Sequence, residues 1–233
     1  MIAIILVSLA VRGASGGFCE EAGWETVFLD DFSGSQLNMT SWTVRDLSTF
    51  DDSFCREAMC VAENVAVRNG ALVLTAKSEK RGWANFTTGA VSTQNKAFWQ
   101  ATHDKPFRLC VSGLLPGGKG TGSGLWPAFW MMPNDHSCWP THGEQDILEM
   151  INGDGLAHAT YHYSRNHTCG EDNSLTAERA FPDFDENFHE YAIERRVDSL
   201  LFVYDGVVVL NSTRGNLPVV DVPWYLCVTP PIC

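Results

Sequence analysis

Three carboxylates fall within six residues at Glu144-Gln145-Asp146-Ile147-Leu148-Glu149, and their spacing admits few backbone conformations. Glu144 and Asp146 are two apart, so on an extended strand they share a face. Glu149 is five from Glu144, and strict alternation sends it to the opposite face. One extra residue at Ile147 or Leu148, a β-bulge, returns it to the first. On a helix the same three side chains would fan over more than half the circumference and share no site. The hexad therefore predicts a bulged strand.

The rest of the chain supports a β architecture. Asn69-Gly70 sits between Val65-Ala66-Val67-Arg68 and Ala71-Leu72-Val73-Leu74, and Asp205-Gly206 sits between Leu201-Phe202-Val203-Tyr204 and Val207-Val208-Val209-Leu210. Both are two-residue hairpin signals between β-formers. Tyr191 to Arg195 alternates as well, and no segment sustains a 3.6-residue period between caps. Many short strands joined by polar turns in 233 residues predict an all-β fold of one domain, a sandwich of two antiparallel sheets. The glycine-rich stretch 116–124 lacks the Gly-Lys-Ser/Thr ending of a phosphate loop and is read as a turn.

Ile2 to Val11 is an apolar run followed by Ala14-Ser15-Gly16, which reads as a signal peptide over residues 1–16 and is too short to span a bilayer. Eight cysteines and sequons at Asn38, Asn85, Asn166 and Asn211 agree with a secreted, extracellular glycoprotein. Eight cysteines allow 105 pairings. Cys55 and Cys60 are close enough to form a local pair, and no C-x-x-C points to zinc. The formal charge of −12 argues against a nucleic-acid or anionic-membrane partner and fits a neutral substrate.

Glu144 and Glu149 leaning together on a bulged strand could approach to about 5–5.5 Å, the separation of a nucleophile and an acid/base in retaining glycosidases. Leu125-Trp126-Pro127-Ala128-Phe129-Trp130 lies just upstream, with Trp126 and Trp130 on one face if extended. Aromatic faces stack on sugar C–H groups, so these two tryptophans are candidate substrate contacts.

With these residues in view, the sequence resembles glycoside hydrolase family 16, and within it the laminarinase-like members that carry E-x-D-x-x-E. Asp30-Asp31-Phe32-Ser33-Gly34, Asn69 to Ala76, Leu115-Pro116, Gly124 to Trp130, Trp139-Pro140, Gly143 to Glu149, Thr160-Tyr161-His162-Tyr163 and Asp205-Gly206 follow in the family's order. The resemblance implies a concanavalin-like jelly roll over residues 17–233. It implies Glu144 as nucleophile, Glu149 as acid/base and Asp146 as the group that tunes both. Trp126, Trp130, Trp139 and His162 would contact substrate, with His158 a weaker candidate. The expected substrate is a neutral β-glucan, with β-1,3 or mixed β-1,3/1,4 linkages, cleaved internally by a monomer without cofactor. Competing readings are a glucan-binding or inactive truncated paralogue, and a β-glucan transglycosylase.

Some positions depart from the family's pattern. Gln145 stands where an aliphatic residue points into the core, and a buried amide without partners costs stability. Ala90 follows Gly89 where the family has Arg. In Phe107-Arg108-Leu109-Cys110 only Arg108 matches, and Cys110 is a candidate for a disulfide. After Val222-Pro223-Trp224-Tyr225-Leu226 the chain turns to Pro230-Pro231, which cannot continue a central strand, so the closing strands are expected to be missing. The family's structural calcium site draws on both termini and is not expected here.

Overall fold

Asn69 and Gly70 adopt φ of 55° and 73°, and Asp205 and Gly206 adopt 44° and 73°. These are the paired left-handed residues of type I′ turns, whose twist suits a two-residue hairpin. The first joins β4 (Val65–Arg68) to β5 (Ala71–Arg81), and the second joins β14 (Leu200–Tyr204) to β15 (Val207–Asn211). Both hairpin expectations hold. The computed structural model describes residues 2–8, 17–46, 55–212, 217–230 and 232. Gly16, the expected leader boundary, and Cys233 lie outside the described residues.

The fold is all-β, as expected, with two sheets. The larger sheet orders β15, β14, β13 (His189–Arg195), β8 (Phe107–Leu114), β1 (Ile2–Ser8), β5, β6 (Ala84–Thr88) and β3 (Ala58–Cys60), with β4 also on β5. The smaller sheet orders β12 (Asn173–Ala180), β11 (Leu156–Tyr163), β10 (Glu144–Glu149), β9 (Ala128–Pro133), β16 (Trp224–Thr229), β7 (Val91–Ser92) and β2 (Thr43–Val44). Among these ladders only β3 with β6 runs parallel. Ile2–Ser8, part of the segment that the sequence assigns to a leader, pairs antiparallel with β5 on one side and β8 on the other.

One apolar core joins the sheets. Leu72, Leu74, Val111, Tyr191, Ile193, Phe202 and Tyr204 come from the larger sheet; Phe129, Met131, Ile147, Leu148, Tyr161, Leu226 and Val228 come from the smaller. Phe129 is fully buried, with its ring 5.9 Å from that of Tyr191. It fills a notch at Gly113, where a Cβ would lie 2.6 Å from the Phe129 ring. Glycine at 113 is thus required by the approach of the ring rather than by its backbone.

Among the described residues three disulfides fasten the periphery: Cys19–Cys110, Cys55–Cys60 and Cys138–Cys169. The local Cys55–Cys60 pair and the pairing of Cys110 match expectation. Cys227 is buried and outside these pairs. Beside Cys19, Arg108 binds Glu194 at 2.8 Å and the Phe18 carbonyl at 2.5 Å, and lies over the rings of Phe18 and Trp24. This lone match in its strand therefore anchors the segment after residue 17 to the larger sheet.

Candidate active site

The bulge is where the spacing of the acids requires it. On one flank Asp146 pairs with Trp130 and Leu148 with Phe129, so Ile147 is an extra residue; on the other, Asp146 pairs with Thr160 and Glu149 with His158. Cross-strand partners share a face. Glu144 opposes His162, Asp146 opposes Thr160 and Glu149 opposes His158, and those three partners alternate along β11. All three acids therefore point away from the core, while Ile147 and Leu148 both turn inward and are fully buried. A bulge leaves backbone groups out of the ladder. Here the Tyr204 hydroxyl, reaching across from the larger sheet, donates to the Ile147 carbonyl at 2.7 Å.

Each glutamate is held by an indole. Trp139 Nε1 donates to Glu144 Oε2 at 2.6 Å, and Trp126 Nε1 donates to Glu149 Oε1 at 2.8 Å. Trp130, cross-strand from Asp146, donates to Thr229 Oγ1 at 3.0 Å. His162 Nε2 lies 3.4 Å from Asp146 Oδ2, its Nδ1 is 2.9 Å from Asp172 Oδ1, and its ring sits 5.7 Å from that of Trp139. The structure thus gathers Glu144, Asp146, Glu149, Trp126, Trp130, Trp139 and His162 around one face of β10. His158 is cross-strand from Glu149, with Glu178 3.6 Å away.

Electrostatics divides the acids. Burial raises the Glu144 pKa, opposed by His162, Asp146 and the Trp139 indole. Burial also raises Glu149, opposed by the hydrogen bond from Trp126. Asp146 rises well above the usual carboxylate range, through burial first and then through the charges of Glu144 and Glu149. Three neighbouring carboxyls cannot all ionise cheaply, so the cluster retains protons that separate carboxylates would lose.

Several contacts were not apparent from sequence. Asp172 is ten residues from His162 and comes from the loop after β11. Arg56 lies over the Trp126 ring at 4.1 Å from its centre. The Cys138–Cys169 disulfide and a hydrogen bond from Gly170 N–H to the Trp139 carbonyl, at 2.9 Å, tie the loop bearing Trp139 to the loop after His162. Ala90, in place of the family's Arg, is fully buried in a small cluster with Cys55, Tyr225 and Cys227, packed by Cys60, Trp130 and Met132. Cys55 and Cys60, the two halves of one disulfide, therefore pack against the small side chain at that position.

Gln145 is placed as alternation predicts, inside the core. It is fully buried, and neither its Nε2 nor its Oε1 has a hydrogen-bond partner among the described residues. Gln145→Met keeps the shape and removes the stranded amide, so it is expected to stabilise the fold by about 1–2 kcal/mol. A thermal melt beside the parent checks this, with a clear rise in Tm as the expected result.

A jelly-roll sandwich carrying two indole-held glutamates on a bulged strand defines a glycoside hydrolase of the two-carboxylate kind. A family profile described as "XgeA-like, catalytic GH16 domain" matches residues 115–192, which include the whole acid hexad. The glucan endo-1,3-beta-glucosidase of Cryptopygus antarcticus is 31% identical over 214 residues, covering 82% of this chain and 71% of that protein. The beta-glucanase of Rhodothermus marinus is 27% identical over 210 residues, covering 86% and 70%. The laminarinase catalytic domain of Thermotoga maritima MSB8 superposes with a TM-score of 0.73 at 25% identity, over 90% of this chain and 87% of that one. The chain belongs to glycoside hydrolase family 16.

Proposed function

We propose that this protein is a secreted, monomeric endo-glucanase that hydrolyses β-1,3 or mixed β-1,3/1,4 linkages in neutral β-glucans with retention. The observation that carries the reading is the bulge at Ile147, which returns Glu149 to the face of Glu144. Substrate class follows the family relatives named above, whose own activities are on β-glucans. A chain with charge −12 repels a sulfated polyanion at long range, which favours the neutral polymer.

The chemistry assigns each acid a task. Glu144 attacks the anomeric carbon as a carboxylate; burial raises its pKa, and His162 and the Trp139 N–H oppose that rise. Glu149, raised by burial, keeps a proton to give to the leaving oxygen, then takes one from water in the second step. Asp146 is the group most favoured to hold a proton between them, which limits repulsion when Glu144 is charged. Retention of both glutamates argues against a protein that only binds glucan.

Secretion rests on three disulfides and on the exposure of the sequons Asn38, Asn85 and Asn166, with Asn211 partly exposed. Cleavage after Gly16 would release β1 from between β5 and β8.

Proton NMR of early products from a laminarin-type glucan tests the reading. The β-anomer should appear first, together with oligosaccharides of intermediate length. First appearance of the α-anomer, or no release from any neutral β-glucan, would sink it.

A further inference from the structure

We propose that Glu144, Asp146 and His162 form a binding site for a borderline divalent transition ion, with zinc its natural probe, and that an ion held there shuts the cleft. One ligand atom from each residue lies within 4.8 Å of the others. Two further observations single this trio out from an ordinary acidic cluster. Asp146 is 2% exposed, and its Oδ2 has no hydrogen-bond partner among the described residues although it is aimed at His162 Nε2, 3.4 Å away. The other ring nitrogen, Nδ1, is held by Asp172 Oδ1 at 2.9 Å. Asp172 Oδ1, accepting from Nδ1–H, keeps the ring proton on Nδ1 and leaves the Nε2 lone pair facing the open Asp146 oxygen, with room between them for a cation. That is the carboxylate–histidine arrangement by which zinc proteins fix the ligating tautomer and raise its basicity.

The donor set selects the ion. One imidazole nitrogen and two carboxylate oxygens suit zinc or copper, whereas calcium and magnesium call for oxygen alone. Bonds of about 2.0–2.2 Å place tetrahedral ligand atoms roughly 3.3–3.6 Å apart. The Asp146–His162 pair already has that span, so Glu144 supplies the remaining movement by turning from the Trp139 indole. Three protein ligands leave the fourth position open to water. Occupancy ties up the electron pairs that Glu144 would use on the anomeric carbon. The binding itself is independent of any reaction; only the inhibition rests on the hydrolase reading.

Calorimetric titration of the full chain with zinc chloride in a non-chelating buffer tests the site, with cobalt(II) absorption as a second readout of coordination. One ion per chain is expected. Asp172→Asn should weaken zinc by roughly 10–100-fold through loss of the partner that orients the imidazole, and His162→Ala should weaken it further. Asp172 is a loop residue, so its variant tests the site even if His162→Ala fails to fold. His142→Ala, which alters the neighbouring His142–His167 ring pair instead, should bind zinc as the parent does. Laminari-oligosaccharide should compete with the ion. Absence of saturable one-to-one binding, equal affinity in the His162 and Asp172 variants, or loss in His142→Ala would each overturn the inference. Zinc binding in a chain that hydrolyses no glucan would leave the site standing and reject the hydrolase reading. Hydrolysis without zinc binding would do the reverse.

Discussion

Glu144→Gln is expected to lower kcat on a β-1,3-glucan by about 10³-fold or more, with KM little changed. The amide has nearly the shape of the acid, and its oxygen can still accept from Trp139 Nε1, the bond that Glu144 makes at 2.6 Å. The strand, the bulge and the acid-bearing face therefore persist. What disappears is the charged oxygen able to form an ester with the anomeric carbon. Glu149→Gln gives the contrast. It removes the proton donor, so glucan hydrolysis collapses, yet a substrate whose leaving group needs no proton should still form the glycosyl-enzyme quickly. Rates on a glucan and on an aryl glycoside with an acidic phenol separate the two roles. Full activity in Glu144→Gln would remove Glu144 from the mechanism.

Phe129→Ala is expected to cost about 3–5 kcal/mol, the range for emptying a large aromatic site in a core. For a domain of this size that lowers Tm by roughly 6–20 °C. The site cannot collapse easily. One wall is Gly113, which has no side chain to advance, and another is Tyr191 at 5.9 Å. Phe129 is also the register partner of Leu148 beside the bulge. Activity measured below the melt should therefore fall too, because the cavity adjoins the strand that aims Glu149. A melt within a degree or two of the parent would show that the core closes over the gap.

The bulged strand and both hairpins could be read from sequence because each depends on local periodicity. Alternation needs only neighbours, and the five-residue gap between Glu144 and Glu149 contradicts alternation unless one residue is extra. Asn69-Gly70 and Asp205-Gly206 likewise announce left-handed backbone without help from the rest of the chain. Asp172, Arg56 and Tyr204 gave no such signal. Their importance comes from what folding brings beside them, a histidine on the next strand, an indole near the acid and a carbonyl in the opposite sheet. The partners of Cys19 and Cys138 are distant in sequence for the same reason, whereas the short span from Cys55 to Cys60 was enough to suggest that pair. Gln145 was legible as a misfit by alternation alone. The strand formed by Ile2–Ser8 was not, since an apolar run of that length also suits a leader.

The hydrogen bond from Tyr204 to the Ile147 carbonyl spans the sandwich. It makes the back sheet part of the aiming mechanism, since the carbonyl it fixes belongs to the residue that sets the direction of Glu149. Loops around the acid-bearing face can be varied while Tyr204 and Ile147 keep this contact. Changes on the far side, where β14 meets β13 and β15, reach the acid through this bond. An engineer seeking a new glucan preference should work from the front of the molecule, and one seeking to adjust turnover at fixed preference has a handle at its back.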